Sequence, residues 1–251
     1  MPSLSVLAQK GVEFEYIIVD SGSTDGSREI IERYRNVFAH VILESDAGPA
    51  DGLNKGFERA GGDVYCYLNS DDEFMLGAFA RVASFFTIHS ATDVVFGHTW
   101  VVDAYGNKLR RVWSDPYNRI LVAYGAAIQM QPSTFLRAEA FRRIGGFNVF
   151  NRISWDGEHL ADLALSGARM EVLDAFLSLY RLHANSITGA ALHKEQAAEQ
   201  FRIQFKKLMR RPWSRRDRFI SVVMFLVRQV RNPAAFFERL TRGKVYGRVF
   251  T

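Results

Sequence analysis

The chain has 251 residues, 48% of them hydrophobic and 24% charged, an ordinary globular composition with room for one large domain or one and a half. Its single cysteine, Cys66, excludes an internal disulfide framework and favours a reducing compartment. No run of about 18 apolar residues occurs, so we expect no helix to span a membrane unaided. Residues 1–12 show no signal-peptide pattern.

Apolar strand patterns alternate with helical patterns through the first half of the chain. We predict strands at residues 16–20, 41–43, 64–68 and 93–102, and a turn at Gly106-Asn107 that leads into a strand at 109–113. Helices are predicted at residues 28–34, 52–60 and 76–89, and residues 1–10 read as an amphipathic helical remnant. This alternation predicts an α/β domain with a mostly parallel sheet flanked by helices.

The second half is less regular. Strands are predicted at residues 131–136, 169–173 and 178–182, with one helix ending at Gly145 and another running to Ser166. From residue 190 the chain is helical and basic. We therefore predict a domain over residues 1–190 and a basic, amphipathic helical tail over residues 191–251.

The tail combines apolar and basic side chains. The net charge of the chain is +5, and residues 202–248 are rich in arginine and lysine and poor in acids. The apolar members of the predicted tail surface are Phe219, Val222, Val223, Phe225, Leu226 and Val230. This pattern predicts contact with an anionic membrane surface. A helix packed on the domain is the alternative, and no nucleic acid is expected.

The third strand ends in Asn69-Ser70-Asp71-Asp72. Ligands bind at the carboxyl ends of strands in such sheets, and two adjacent carboxylates repel each other unless a cation lies nearby. A divalent metal that also carries phosphates suits Asp71 and Asp72. The alternative is an Asp-Asp helix cap.

Three other places carry candidate polar groups. Asp20 ends the first strand and either accepts hydrogen bonds from a nucleoside or starts an Asx turn. In the connection that leads into the second predicted helix, residues 46–56, Asp51 and Lys55 suit a sugar and a phosphate, or only a solvated loop and cap. Asp156, two residues before Glu158, is either a general base or part of a capped helix start.

His183 follows the last predicted strand. It suits a metal ligand or a phosphate donor, although a lone histidine is more often structural.

Several sequence segments occur in this order along the chain: EYIIVDSGSTDGS, SDAGPADGLNKGFERAGGDVYCYLNSDD, QPSTFLR with GGF, WDGEHLADL and YRLHANSIT. In these segments the chain resembles the inverting glycosyltransferases of family 2, which have the GT-A fold. The resemblance runs from about residue 4 to 188. It looks most like the O-antigen and exopolysaccharide branch.

The resemblance implies transfer of a sugar from a nucleotide-diphosphate sugar to a glycan or lipid-linked acceptor, with a Mn²⁺ or Mg²⁺ cofactor, in cell-surface polysaccharide synthesis. Asp20 and Ser21 would lie at the nucleoside, with Asp51 and Lys55 lining the donor pocket. Asn69-Ser70-Asp71 occupies the Asp-x-Asp position.

Three of the family's roles fall on carboxylates and a histidine. Asp71 would be the metal ligand, with Asp72 beside it. Asp156 falls on the catalytic base, and His183 on a position that helps hold the metal or diphosphate. The predicted location is cytoplasmic, and the basic tail adds peripheral attachment to the inner face of the plasma membrane as an option.

The chain departs from the family pattern in three ways. Asn69 replaces the first Asp of Asp-x-Asp, and Ser21 stands where many relatives carry Asp. The family's opening strand is missing, so we expect the chain as it begins here to be poorly soluble or to bind donor weakly. There are two alternatives to a glycosyltransferase. One is an inactive truncated relative that serves as a membrane-associated interaction module, and the other is a sugar nucleotidyltransferase.

Overall fold

The computed structural model describes residues 2–182 and 194–243. The strands are β1 (Ile17–Val19), β2 (His40–Ile42), β3 (Val64–Tyr65), β4 (Glu73–Phe74), β5 (Val94–Val102), β6 (Lys108–Val112), β7 (Thr134–Arg137) and β8 (Met170–Arg181). The helices are α1 (Pro2–Leu7), α2 (Ser27–Arg33), α3 (Pro49–Arg59), α4 (Ala78–Ile88), α5 (Arg119–Ala123), α6 (Ala138–Ile144), α7 (Trp155–Leu165), α8 (Lys194–Met209), α9 (Arg215–Arg231) and α10 (Pro233–Arg242). Short 3-10 helices cover Arg35–Val37 and Gln131–Ser133.

The strands form two sheets. β1 and β2 pair in parallel, and a larger sheet runs β3-β7-β5-β8-β4. β6 pairs with the C-terminal part of β5, from Thr99 to Val102. The α/β architecture is confirmed, but the prediction of a mostly parallel sheet is wrong for the described ladders. Only β1–β2 and β5–β8 are parallel, and the other four pairings are antiparallel. The reason is that β6 returns on β5 through a tight turn and that β7 lies antiparallel between β3 and β5.

The observed strands β8 and β3 differ in length from the strands predicted for these parts of the sequence. Residues 169–173 and 178–182 were expected as separate strands, but β8 runs unbroken from Met170 to Arg181. Its pairing with β5 shifts register between Phe96 and Thr99, so the expected break is a bulge within one strand. The predicted strand 64–68 keeps only Val64 and Tyr65 in a ladder.

β5 is the centre of the fold. Val94, Val95 and Phe96 have no exposed surface, so the strand is covered on both faces. One face packs against a cluster from α3, α6 and α7 that includes Phe141 and Leu163. The other packs against residues from α1 and α4. Each fully buried large apolar side chain stabilises the fold by about 1.5–3 kcal/mol.

The C-terminal helices pack on this domain. Phe205 and Leu208 of α8 are fully buried in a cluster with Tyr124 and Ala161. The boundary predicted at residue 190 lies among residues outside the described ranges and stays a prediction. Of the described helices, none is long and apolar enough to cross a bilayer. The expected missing strand also stays a prediction, and among the described residues no ladder joins β1 to β3.

Candidate active site

The turn after β1 is organised by Asp20. The Asp20 side chain is 9% exposed, and its Oδ1 accepts hydrogen bonds from the backbone N–H groups of Gly22 and Ser23, each at 3.0 Å. Arg28 Nε donates to the same oxygen at 2.8 Å. Burial alone would raise the pKa of Asp20, but the bonds from Ser23 and Arg28 outweigh it and hold the pKa well below its usual range. The Asx geometry is therefore present, with Ser21 exposed beside it.

Asp51 and Lys55 fix the loop that precedes α3. Asp51 Oδ2 accepts a hydrogen bond from the backbone N–H of Ala47 at 2.9 Å and lies 3.4 Å from Lys55 Nζ. Lys55 Nζ also donates to the carbonyl of Ser45 at 2.6 Å. The hydrogen bond from Ala47 outweighs burial and, with Lys55, lowers the pKa of Asp51. The carboxylate and the ammonium thus stand together at the start of α3.

The two carboxylates after β3 lie in different environments. Asp71 is partly exposed, whereas Asp72 has no exposed surface. Asp72 Oδ1 accepts a hydrogen bond from the backbone N–H of Arg181 at 2.9 Å, and burial raises the pKa of Asp72 to about 7. Asp72 therefore fastens the turn to β8 from inside, and Asp71 is the member of the pair that reaches the surface.

The donor atoms here suit a divalent metal shared with a phosphate. Asp71 and Asn69 bring carboxylate and amide oxygens, which Mg²⁺ and Mn²⁺ prefer. Within residues 2–182 and 194–243, no three His, Cys, Asp or Glu side chains are grouped to hold a metal ion. Mg²⁺ that is held by one or two carboxylates commonly completes its coordination with phosphate oxygens and water.

Gln131, to which the sequence analysis gave no role, connects this turn to the next part of the site. Its Nε2 donates to the carbonyl of Tyr67 at 3.0 Å, and its Oε1 accepts a hydrogen bond from Asn69 Nδ2 at 3.3 Å. Gln131 begins the 3-10 helix that leads into β7. The sequence feature that could have indicated a role for Gln131 is its position at the start of the segment QPSTFLR.

A cavity of about 320 Å³ opens beside Gln131. Its polar wall includes Tyr67, Gln131 and Asp156, and the rest is largely apolar, from Ile128 and Phe201 among others. A cavity of this volume is at the lower end of the range for small-molecule sites.

Asp156 lies in the first turn of α7, where its Oδ1 accepts the N–H of Gly157 at 2.8 Å. Burial raises the pKa of Asp156, outweighing that bond. Tyr67 lines the same cavity as Asp156. Burial raises the pKa of Tyr67, and the charge of Asp156 adds to the effect. A carboxylate with a raised pKa at a cavity wall is the typical setting of a general base.

Glu158 is held on several sides. Its carboxylate accepts hydrogen bonds from Asn151 Nδ2 at 2.7 Å and from Asn148 Nδ2 at 3.1 Å. Lys207 Nζ of α8 lies 3.2 Å from it. The role of Glu158 is therefore to join the loop before α7 to α8, and Asp156 is the better placed of the two for proton transfer.

His159 is a second feature that the sequence analysis missed. It is 4% exposed, it lines the same cavity, and its Nδ1 lies 3.2 Å from the carbonyl of Gly146. Burial lowers the pKa of His159 to about 4, so the ring is neutral near pH 7. Its Nε2 has no hydrogen-bond partner among the described residues. His183, by contrast, lies outside the described ranges.

Two solved structures share this fold. TarS 1–349 of S. aureus, in complex with UDP-GlcNAc, superposes with a TM-score of 0.64 at 18% identity and covers 96% of this chain and 73% of that one. The mannosyltransferase PcManGT of Pyrobaculum calidifontis, in complex with GDP-Man and Mn²⁺, gives 0.61 at 16% identity over 96% and 68%. The fold is therefore that of the GT-A glycosyltransferases.

The family model for glycosyl transferase family 2 matches residues 4–145, more than half of the chain. The chain belongs to this family. It is 26% identical over 209 residues to an uncharacterised glycosyltransferase of Nostoc, covering 78% of this chain and 64% of that protein. Over 73 residues it is 44% identical to the putative teichuronic acid biosynthesis glycosyltransferase TuaG of Bacillus subtilis, covering 28% of this chain and 29% of that one. The chain thus spans less than two thirds of these curated relatives.

Proposed function

We propose that this glycosyltransferase moves a sugar from a nucleotide-diphosphate sugar to a hydroxyl of a glycan or lipid-linked acceptor, with inversion, in cell-surface polysaccharide synthesis. The observation that carries the proposal is Asp156, a partly buried carboxylate in the wall of a cavity that is also lined by Gln131, which in turn bonds Asn69. The donors bound to TarS and PcManGT, and the pathway named for TuaG, support the substrate class and setting.

Inversion requires a base on the face of the sugar opposite the leaving group. Asp156 takes the proton of the acceptor hydroxyl while that oxygen bonds to the anomeric carbon, and the bond from this carbon to the diphosphate breaks. The nucleoside diphosphate leaves with the electron pair. Because burial raises the pKa of Asp156, its carboxylate is a stronger base than that of a solvated aspartate.

A Mn²⁺ or Mg²⁺ ion would be held by Asp71, with Asn69 beside it and His183 as a further candidate ligand. When bound, such a metal offsets the charge that develops on the diphosphate. Asp72 supports Asp71 from the interior through its bond to Arg181.

The donor nucleoside and sugar would lie near the turn after β1 and the start of α3. Asp20 and Ser21 are proposed at the nucleoside, and Asp51 with Lys55 at the donor pocket. We further propose that the protein works in the cytoplasm, where nucleotide sugars serve as donors, at the inner face of the plasma membrane.

The proposal is tested with Asp156→Asn, which keeps the side-chain shape and removes the proton acceptor. Turnover should fall by about 10²- to 10⁴-fold, while donor affinity stays close to that of the unchanged protein. Released nucleoside diphosphate is measured with a panel of UDP- and GDP-sugars and Mn²⁺. Glu158→Gln is the matched control, and it should lower stability more than rate.

The pH–rate profile adds a second readout. Because the ionised form of Asp156 is the base and its pKa is raised, the acidic limb of kcat should lie above the usual aspartate value of about 3.9. A normal rate in Asp156→Asn would refute its role as base. Release of pyrophosphate would point to the nucleotidyltransferase instead, and no donor-dependent release in the unchanged protein would favour the inactive module.

A further inference from the structure

The outward side of the last two described helices is apolar and exposed. In α9, Phe219, Val222, Leu226 and Val230 are between 57% and 83% exposed. Their spacing of three and four residues places them on one side of the helix. The next helix, α10, adds two more residues with 63% and 65% exposure. We call this set the outer face: Phe219, Val222, Leu226, Val230, Phe237 and Leu240.

The opposite side of α9 is docked on the domain by buried polar contacts. Asp217, with no exposed surface, bonds Arg211 at 2.6 Å and the hydroxyl of Tyr124 at 2.7 Å. Arg228 Nε lies 2.7 Å from Asp115. The tail is thus packed, as one of the two alternatives predicted. Because these contacts fix the rotation of α9, its outer face points away from the domain.

The charges around the outer face have one sign. Residues 211–243 contain two acids, Asp217 and Glu238, and both are buried, at 0% and 7% exposure. Glu238 is paired with Arg111 of β6 at 3.1 Å. The exposed charged side chains of this segment are all arginines: Arg215, Arg216, Arg218, Arg231 and Arg242.

Three of these arginines stand in the first turn of α9. Cations at a helix N-terminus are unfavourable for the helix itself, because the positive end of the macrodipole lies there. Arg215, Arg216 and Arg218 therefore do not explain the stability of α9, whose N-terminus is already capped by Ser214 and Asp217.

We propose that the outer face binds the surface of a membrane that contains anionic phospholipid. Its apolar side chains enter the boundary between head groups and acyl chains, while the arginines contact the phosphates, as in interfacial amphipathic helices. A second copy of the chain fits less well, because it would bring two arginine-rich rims together. Attachment does not depend on sugar transfer, since none of these side chains belongs to the candidate active site.

Vesicle flotation of the full chain tests the proposal. The probes are vesicles of phosphatidylcholine alone and vesicles with equal parts of phosphatidylcholine and phosphatidylglycerol. We expect the protein to float with the second and to remain below with the first. Molar salt should release it, because the Debye length falls to about 3 Å at 1 M.

Variants separate the apolar and the basic contributions. Neutralising Arg215, Arg216 and Arg218 with glutamine should weaken partitioning on the order of a hundredfold, because each cation near an anionic surface contributes about fivefold. Phe219→Ser with Leu226→Ser removes two apolar side chains of the outer face and should abolish flotation.

The matched control is Ile88→Ser with Tyr105→Ser. These side chains are 77% and 91% exposed but lie elsewhere, in α4 and in the β5–β6 turn, so flotation should be unchanged. Circular dichroism checks that every variant is folded.

Three results would overturn the proposal. One is the absence of flotation with either vesicle. Another is equal flotation with neutral and anionic vesicles. The third is sedimentation that shows a dimer which Phe219→Ser dissociates, since the outer face would then be an interface between copies.

Discussion

Replacing Arg228 with methionine tests how firmly the C-terminal helices are held on the domain. The side chains of Arg228 and Asp115 are only 10% and 5% exposed, and Arg228 Nε lies 2.7 Å from the carboxylate. Asp115 also accepts hydrogen bonds from Asn232 Nδ2 at 2.7 Å and from the N–H of Ile128 at 2.8 Å. Arg228→Met keeps most of the apolar stem and removes the charge, which leaves a buried carboxylate without its cation.

Breaking a buried ion pair at one partner costs about 3–5 kcal/mol. The lower end applies here, because two neutral hydrogen bonds to Asp115 remain. For a chain of this size, about 3 kcal/mol corresponds to a fall of roughly 6–12 °C in the unfolding midpoint. The assay is urea unfolding at pH 7 followed by fluorescence, with a thermal scan beside it.

Two further variants make the result specific. Arg231→Met removes an exposed arginine from the same helix and should change stability by no more than about 0.5 kcal/mol. Arg228→Met with Asp115→Asn removes the stranded charge, so it should recover part of the loss, and the double-mutant cycle then gives the coupling. The reasoning fails if Arg228→Met is no more destabilising than Arg231→Met.

Two other predictions follow from the site. Asp71→Ala should abolish Mn²⁺-dependent donor binding in a thermal-shift screen, where a ligand at a hundred times its Kd stabilises by about 2.7 kcal/mol; an unchanged shift would remove Asp71 from the proposed metal site. His159, whose pKa falls from 6.5 to about 4, should make stability decline as pH drops through that window, because the unfolded chain takes up a proton that the folded chain refuses. His159→Leu should flatten this decline in urea titrations at each pH, and an equally steep decline in the variant would assign it to other groups.

Much of the fold could be predicted because its pattern is local. Helix α4 was expected at residues 76–89 and runs from Ala78 to Ile88; β5 was expected at 93–102 and runs from Val94 to Val102. The helical period of α4 and the mostly apolar run of β5 are both visible among near neighbours in the sequence. The two-residue strand β4 was not predicted, because Glu73-Phe74 is too short to show a strand pattern in the sequence. It is a strand because it pairs with β8.

The sequence offered the polar residues of the candidate site, but not the environment of each one. Asp71 and Asp72 are chemically alike in sequence, yet one is partly exposed and the other has no exposed surface. Asp156 and Glu158 likewise form an acidic pair two residues apart in the sequence. Lys207, far along the chain on α8, pairs with Glu158 and distinguishes them. The same limit applies to Gln131, whose bonds to Tyr67 and Asn69 form only in the folded chain.

The sequence by itself determined the α/β class, most helices, and the polar groups that follow β1 and β3, because periodicity and strand ends are encoded by near neighbours. Tertiary structure alone decided which carboxylates are buried, which ladders are antiparallel, and which side of α9 faces outward. These depend on partners such as Asp72 with Arg181 and Asp115 with Arg228, which are 109 and 113 residues apart. Burial is a property of such distant contacts, and a local pattern does not contain them.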